Sequence, residues 1–191
     1  MSSGPLRVAL IVGSTRSGRL APTVAGWFAR HATARGDLEL DVVDLAEVHL
    51  PEVLGEDGGP TARGLGDRLF SAEAFVVVTP EYNRSFPAPL KNVIDWNSAP
   101  WRAKPVGFVS YGGASGGLRA VEQLRLVFTE LHAVTVRDSV SFHGIWTAFD
   151  AAGEPVDHER SARAATNMLD QIAWWGVALR ERRKSHPYVI E

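Results

Sequence analysis

Apolar and polar positions along the 191-residue chain alternate between two rhythms. Leu6 to Val12 is a continuous apolar run broken only by Arg7, the pattern of a strand covered on both faces of a parallel sheet. Val24, Trp27, Phe28 and Ala32 then recur at helical spacing until Gly36 ends the helix. Leu38 to Leu45 alternates apolar with acidic residues, which predicts an edge strand with one half-solvated face. Ala46 to Arg63 contains PEVLGEDGGP and reads as a loop, followed by a short helix over Leu65 to Ala72 and a buried strand over Ala74 to Thr79. Leu90, Val93, Ile94 and Trp96 resume the helical period, and Pro105 to Ser110 is the next buried strand. Leu118 to Ala133 is the most strongly amphipathic stretch, with Val121, Leu124, Leu126, Val127, Phe128 and Leu131 on its apolar side. Val134 to Phe142 reads as a fifth strand and Gly144 to Glu154 as a loop with an exposed aromatic. Val156 to Lys184 reads as a long final helix with Met168, Leu169, Ile172, Trp174, Trp175 and Val177 in its interior. Strand and helix thus alternate five times, which predicts an α/β fold with helices on both faces of a parallel sheet. With no repeat period, residues 1–191 read as a single domain.

Composition narrows the chemistry. A formal charge of −2 gives a nucleic-acid or lipid-headgroup partner nothing to bind, since both require a basic surface whose counterions can be released. The absence of cysteine excludes disulfides, thiolate nucleophiles and cysteine metal sites, and fits a reducing, cytoplasmic setting. The N-terminal apolar run is too short to span a bilayer and too early for a secretion signal. The histidines show neither H-x-x-x-H nor H-E-x-x-H spacing, so no metal is expected.

In a wound sheet, ligands sit beyond the carboxyl ends of the strands at the topological switch point. The first, third and fourth predicted strands end in residues 13–19, 80–89 and 111–117, which places three decorated loops along one edge. The first, Gly13-Ser14-Thr15-Arg16-Ser17-Gly18-Arg19, opens a helix with two arginines at the positive end of its dipole. It reads as a site for a single phosphate, or as a Ser/Thr-capped helix start. It matches neither the nucleoside-triphosphate P-loop nor the dinucleotide fingerprint. The second loop sets Pro80, Glu81, Tyr82, Asn83, Arg84 and Ser85 between prolines that fix the backbone, suited to holding main-chain groups against a flat polar ligand. The third, Tyr111 to Gly117, gives close backbone approach or a tight turn. Through Gly113, Ser115 and Gly117 it also satisfies G-x-S-x-G, which raises a serine hydrolase with Ser115 as nucleophile. Trp27, Trp174 and Trp175 read as core or subunit contacts, whereas Trp96 and Trp101 flank the central loop as candidate ring platforms.

Three pieces, GSTRSGR at Gly13 to Arg19, PEYN..FPAPLKNVIDW at Pro80 to Trp96 and GGASGGLRA at Gly112 to Ala120, give the chain a form that resembles the NADPH-dependent FMN reductases, flavodoxin-like quinone, chromate and azo-dye reductases. The resemblance implies a three-layer fold with a five-stranded parallel sheet in the order 2-1-3-4-5, FMN and NADPH (or NADH) as cofactors, and a homodimer or homotetramer. It implies that Gly13, Ser14, Thr15, Arg16, Ser17 and Arg19 hold the FMN phosphate. Pro80, Glu81, Tyr82 and Asn83 would cup the isoalloxazine, and Ser110, Tyr111, Gly112 and Gly113 would line its other side. Where many members follow the arginine with a further Ser or Asn, this chain has Leu20, Ala21 and Pro22, leaving Ser17, Arg19 or Thr23 to supply that contact, or a flavin held more loosely. Arg84, Ser115 and Arg119 are the candidates for the second substrate, with Arg84, Arg102 or Arg119 meeting the 2′-phosphate of NADPH. The acceptor is expected to be a small molecule: a quinone, free flavin, azo compound or chromate. The competing flavoprotein reading is a flavodoxin-like carrier without efficient NAD(P)H oxidation.

Overall fold

The computed structural model describes residues 4–189. Its sheet runs β2 (Leu38–Asp44), β1 (Leu6–Val12), β3 (Ala74–Pro80) and β4 (Pro105–Tyr111), all parallel, and so realises the doubly wound order 2-1-3-4-5. The fifth position departs from the expected single strand. It is split into β5 (Val134–Thr135) and β6 (Val140–Phe142), both parallel to β4. Side chains replace the ladder in the gap: Arg125 donates to the carbonyls of Val136 and Arg137 at 2.7 and 2.9 Å, and the Asp138 amide donates to Gln171 at 3.1 Å.

The pleat sorts side chains onto two cores. Leu6, Val8, Leu10 and Val12, with Val76, Val78, Val109 and Tyr111, face α1 (Ala21–Thr33) and α5 (His158–Ser185). Ala9, Ile11, Phe75, Val77, Val106 and Phe108 face α2 (Gly59–Ser71), α3 (Ala88–Trp96) and α4 (Leu118–Glu130). The absence of a side chain at Gly107 lets α5 close on β4, because a Cβ there would stand 2.7 Å from Ile172 Cδ1.

Several boundaries move for local reasons. Helix α2 starts at Gly59 inside the expected loop. Pro60 sits in its first turn, where a missing N–H is harmless, and Asp57 accepts from the Gly59 amide at 2.8 Å. Helix α5 begins at His158 behind an Asp157 cap rather than at Val156. Leu126 of α4 and Trp174, Trp175 and Val177 of α5 are exposed in the chain alone, because each helix buries a narrower stripe than its apolar content suggests. Trp101 is no ring platform: it is fully buried between Phe75 and Phe128, at centroid distances of 4.5 and 5.2 Å. Trp96 points its indole N–H to the Pro51 carbonyl at 3.0 Å. Among the described residues no helix is long and apolar enough to cross a membrane.

Candidate active site

The loop after β1 is anchored at its base and open at its amides. Gly13 donates to the Val78 carbonyl at 2.8 Å, and a Cβ at Gly13 would lie 3.1 Å from that oxygen, so a larger residue here would sit tight against β3. The backbone N–H groups of Ser14, Thr15, Arg16, Ser17 and Gly18 donate to no described residue, and Leu20, just before α1, supplies no side-chain cap. This is a row of free donors at the positive end of a helix dipole. Arg16 is exposed and makes no ion pair among the described residues. Arg19, expected at the phosphate, is committed elsewhere. Its guanidinium forks onto Asp44 at the end of β2, at 2.5 and 2.7 Å, and donates to the Ser14 carbonyl at 2.8 Å. Burial works to raise the Asp44 pKa, but the Arg19 fork and the Ala46 amide together hold it below the ordinary carboxylate range. Arg19 therefore shapes the loop instead of lining it.

Two hydroxyls from other loops converge on the same place. Ser14 Oγ is fully buried and shares a hydrogen bond of 2.9 Å with Tyr82 Oη of the second loop. Tyr111, at the end of β4, is 5% exposed and faces the α1 side of the sheet. Among the described residues its hydroxyl has no hydrogen-bond partner, and burial pushes its pKa well up against the opposing influence of nearby Ser14 and Arg19.

The second loop is a tight hairpin. Tyr82 and Ser85 exchange backbone hydrogen bonds at 2.8 and 2.9 Å, while Asn83 and Arg84 between them take φ of 49° and 67°. Left-handed conformations at both central positions are those of a type I′ turn. Helix α4 braces it, Gln123 donating to the Arg84 carbonyl at 2.8 Å and accepting from Ser85 at 2.6 Å. The Arg84 side chain is exposed and makes no ion pair among the described residues. Glu81 turns inward and binds both the amide and the guanidinium of Arg119, at 3.1 and 2.8 Å. Burial acts to raise the Glu81 pKa, yet Ser115 and Arg119 hold it below its usual value. Arg119 is thus a clamp between the second and third loops rather than a free substrate contact.

In the third loop Ser110 is buried and donates to the Gly116 carbonyl at 2.8 Å, so its hydroxyl braces the turn from beneath. Gly117 has φ of 86°, and a Cβ there would meet Ser110 Cβ at 2.7 Å. The amide of Gly112 is tied to Phe142 at the end of β6, and the carbonyls of Gly112 and Gly113 to the segment that follows. Ser115 lacks a base. Its neighbour is the ionised Glu81, and His143 spends its ring nitrogens on the Ala114 carbonyl at 2.9 Å and on Ser141 at 3.3 Å. Nothing in this geometry activates a serine nucleophile.

The three loops form one structure: Ser14 joins the first to the second, and the Glu81 amide donates to the Tyr111 carbonyl at 3.2 Å, joining the second to the third. A cleft of about 710 Å³ opens beside Thr15, between α3 and the segment after β2, lined also by Leu45, His49, Ala88 and Asn92. Sequence reasoning named the loop residues but missed Asp44 and Gln123. Both are ordinary polar residues whose partners lie 25 and 38 positions away.

Comparison with known proteins shows the family of the chain. A sequence model described as NADPH-dependent FMN reductase matches residues 6–147. The chain is 34% identical over 122 residues to an NAD(P)H-dependent FMN reductase of Schizosaccharomyces pombe, a match that takes in 58% of this chain and 60% of that protein. It is 31% identical over 187 residues to a 2-hydroxy-1,4-benzoquinone reductase of a Burkholderia species, covering 93% of this chain and 98% of that one. The structure of FerB, a flavoenzyme NAD(P)H:(acceptor) oxidoreductase of Paracoccus denitrificans, superposes with a TM-score of 0.73 at 26% identity, over 91% of this chain and 98% of its own. By sequence and by fold, the chain belongs to the NADPH-dependent FMN reductase family.

Proposed function

We propose that this protein is an FMN-dependent oxidoreductase in which NAD(P)H delivers reducing equivalents to bound FMN and a small planar acceptor removes them. The observation that carries the reading is the junction of the three loops around unspent donors: the free amides of Ser14 to Gly18, the uncapped start of α1 and the orphaned, buried Tyr111 hydroxyl. These groups suit a phosphate monoester, which offers several acceptor oxygens and a negative charge to a helix N-terminus. With Arg19 occupied by Asp44, the phosphate contacts fall to the amides, Ser17 and Arg16, and the Tyr111 hydroxyl stands in for the Ser or Asn absent after Arg19. Pro80, the backbone of Glu81, Tyr82 and Asn83 frame one side of the ring, and Gly112 and Gly113 the other.

Bound FMN supplies the redox chemistry: a hydride from NAD(P)H together with one solvent proton amounts to the two electrons and two protons that convert a quinone to a quinol. This chain's residues need only hold, orient and shield. Glu81, ion-paired to Arg119, fixes the spacing of the two loops on either side of the ring, and Gln123 sets the height of the hairpin. Arg16 and Arg84, exposed and without an ion pair among the described residues, favour an anionic nucleotide as reductant, and so an NAD(P)H-oxidising enzyme over an electron carrier that works by docking to a protein. The exposed Val53 and Leu54 beside the cleft along α3 support assembly into a homodimer or homotetramer through that side, which light scattering tests.

The deciding experiment is an absorption spectrum of the purified protein, followed by oxidation of NADPH and NADH in the presence of ferricyanide. A yellow protein that oxidises either nicotinamide is expected. A colourless protein that takes up no added FMN and oxidises neither refutes the assignment, and slow NAD(P)H oxidation with a stabilised one-electron state decides for the carrier.

A further inference from the structure

Trp146 stands outside everything so far assigned. It lies in a short 3-10 turn (Ile145–Thr147) after β6 and is 78% exposed. A single exposed apolar side chain is ordinary in itself; what separates this one is how it is held. The Gly144 amide donates to the Gly113 carbonyl at 2.9 Å, the Ile145 amide to the Gly112 carbonyl at 3.0 Å, and the Gly112 amide to the Phe142 carbonyl at 3.1 Å. Gly144, at φ of 54°, makes the turn, and Ile145 is buried beneath it. The turn is therefore stitched to the third loop by main-chain bonds and does not swing on its own.

The indole rests against that loop. A Cβ at Gly113 would lie 3.6 Å from Trp146 Cη2 and 3.7 Å from Cζ3, ordinary van der Waals distances, so the ring edge lies beside the backbone at Gly113. No aromatic ring packs on it among the described residues. A rigidly placed, electron-rich ring with bare surface thus borders the loop assigned to the flavin.

We propose that Trp146 is the stacking wall for the oxidising substrate, and that this substrate is a planar, electron-poor ring of the quinone class; the inference rests on the FMN reading above. A quinone carries no charge for Arg16 or Arg84 to hold, so apolar contact and ring stacking are the affinity open to it. An electron-rich indole face complements an electron-deficient quinone better than the electron-rich dihydronicotinamide of NADPH, which has its phosphates for anchorage. Compact anionic acceptors gain nothing from a stacking surface.

The test uses the FMN-loaded protein. In the oxidised enzyme a quinone binds without electron transfer, so its Kd is read from perturbation of the flavin absorption band on titration with 1,4-naphthoquinone. Trp146→Ala is expected to raise this Kd about twofold to twelvefold, the range given by loss of one aromatic pair, while Trp146→Phe stays closer to the wild type than the alanine variant does. The ratio of kcat/KM for naphthoquinone to that for ferricyanide falls by the same factor in the alanine variant. Unchanged Kd and unchanged ratio in Trp146→Ala overturn the inference and leave the FMN reading standing. Loss of FMN during purification of that variant would assign the indole to the flavin instead, and a raised KM for NADPH with an unaltered quinone Kd would assign it to the nicotinamide; either result overturns it. A wild-type protein without FMN and without NAD(P)H oxidation overturns both readings together.

Discussion

Lys104 immediately precedes β4, at the end of the sheet away from the three loops. It is only 7% exposed, its Nζ donates to the Phe70 carbonyl in the last turn of α2 at 2.9 Å, and it lies 5.3 and 5.5 Å from the centroids of Phe70 and Phe75. Burial, with a contribution from the nearby Arg183 guanidinium and against the opposing pull of Glu73, lowers its pKa from 10.5 to about 7. Below pH 7 both the folded and the unfolded chain carry the proton, and the burial penalty is at its full value. Above that point the folded state releases the proton while the unfolded state keeps it until its own pKa is reached, so the unfolded chain binds more protons and stability rises with pH. From about pH 7 to pH 9 the gain is about 2 kcal/mol, since each full unit contributes about 1.4 kcal/mol and the first is only partly realised. Lys104→Met keeps the length of the side chain and removes the titration. Urea unfolding followed by tryptophan fluorescence across that pH range should show the wild type gaining about 2 kcal/mol on the variant. Parallel stability curves would refute the reasoning and mean that Lys104 keeps an ordinary pKa in the folded state.

Two further perturbations address the site. Gly117→Ala forces a Cβ onto a left-handed backbone within 2.7 Å of Ser110 Cβ and 2.9 Å of the Tyr111 nitrogen. It should cost about 2–4 kcal/mol and lower Tm by roughly 5–15 °C in calorimetry. Arg19→Lys removes the two-pronged grip on Asp44 and leaves the Ser14 carbonyl without its brace; FMN titrated into the apoprotein should bind about tenfold more weakly, whereas an unchanged Kd would show that the first loop holds its shape without the fork.

What could be read from the residues follows from where the physical signal is local. The runs over Leu6 to Val12, Ala74 to Thr79 and Pro105 to Ser110 are apolar on both faces, a pattern that parallel strands under two helical layers produce and few other elements share. The loops that follow them were legible because prolines and glycines cluster there against the surrounding periodicity. Long-range pairings were not legible. Nothing in the spacing of Arg19 and Asp44 marks them as partners, and an arginine beside a predicted anion site reads naturally as an anion ligand until β2 brings the carboxylate alongside. The partner of Arg119 was hidden in the same way, because Glu81 reaches it only through the fold. The interrupted fifth strand looked continuous since Val134, Val136 and Val140 keep an alternating period, whereas Arg125 and Gln171 satisfy the backbone between them from neighbouring helices. Exposure of Trp174 and Trp175 lies beyond periodicity altogether, for aromatic residues signal burial by composition whether or not a partner surface is present.

The hairpin tip in the second loop has a consequence for anyone who sets out to harden this protein. Its second central position takes a backbone shape that L-residues adopt at a penalty of about 1 kcal/mol and that glycine adopts freely, yet the chain seats an arginine there. Arg84→Gly would relieve that local distortion and at the same stroke delete an exposed cation that makes no ion pair among the described residues and that the proposed function assigns to the nucleotide. Selection for heat resistance would accept the exchange and selection for turnover would reject it, so melting temperature and apparent KM for NADPH should rise together in that single variant.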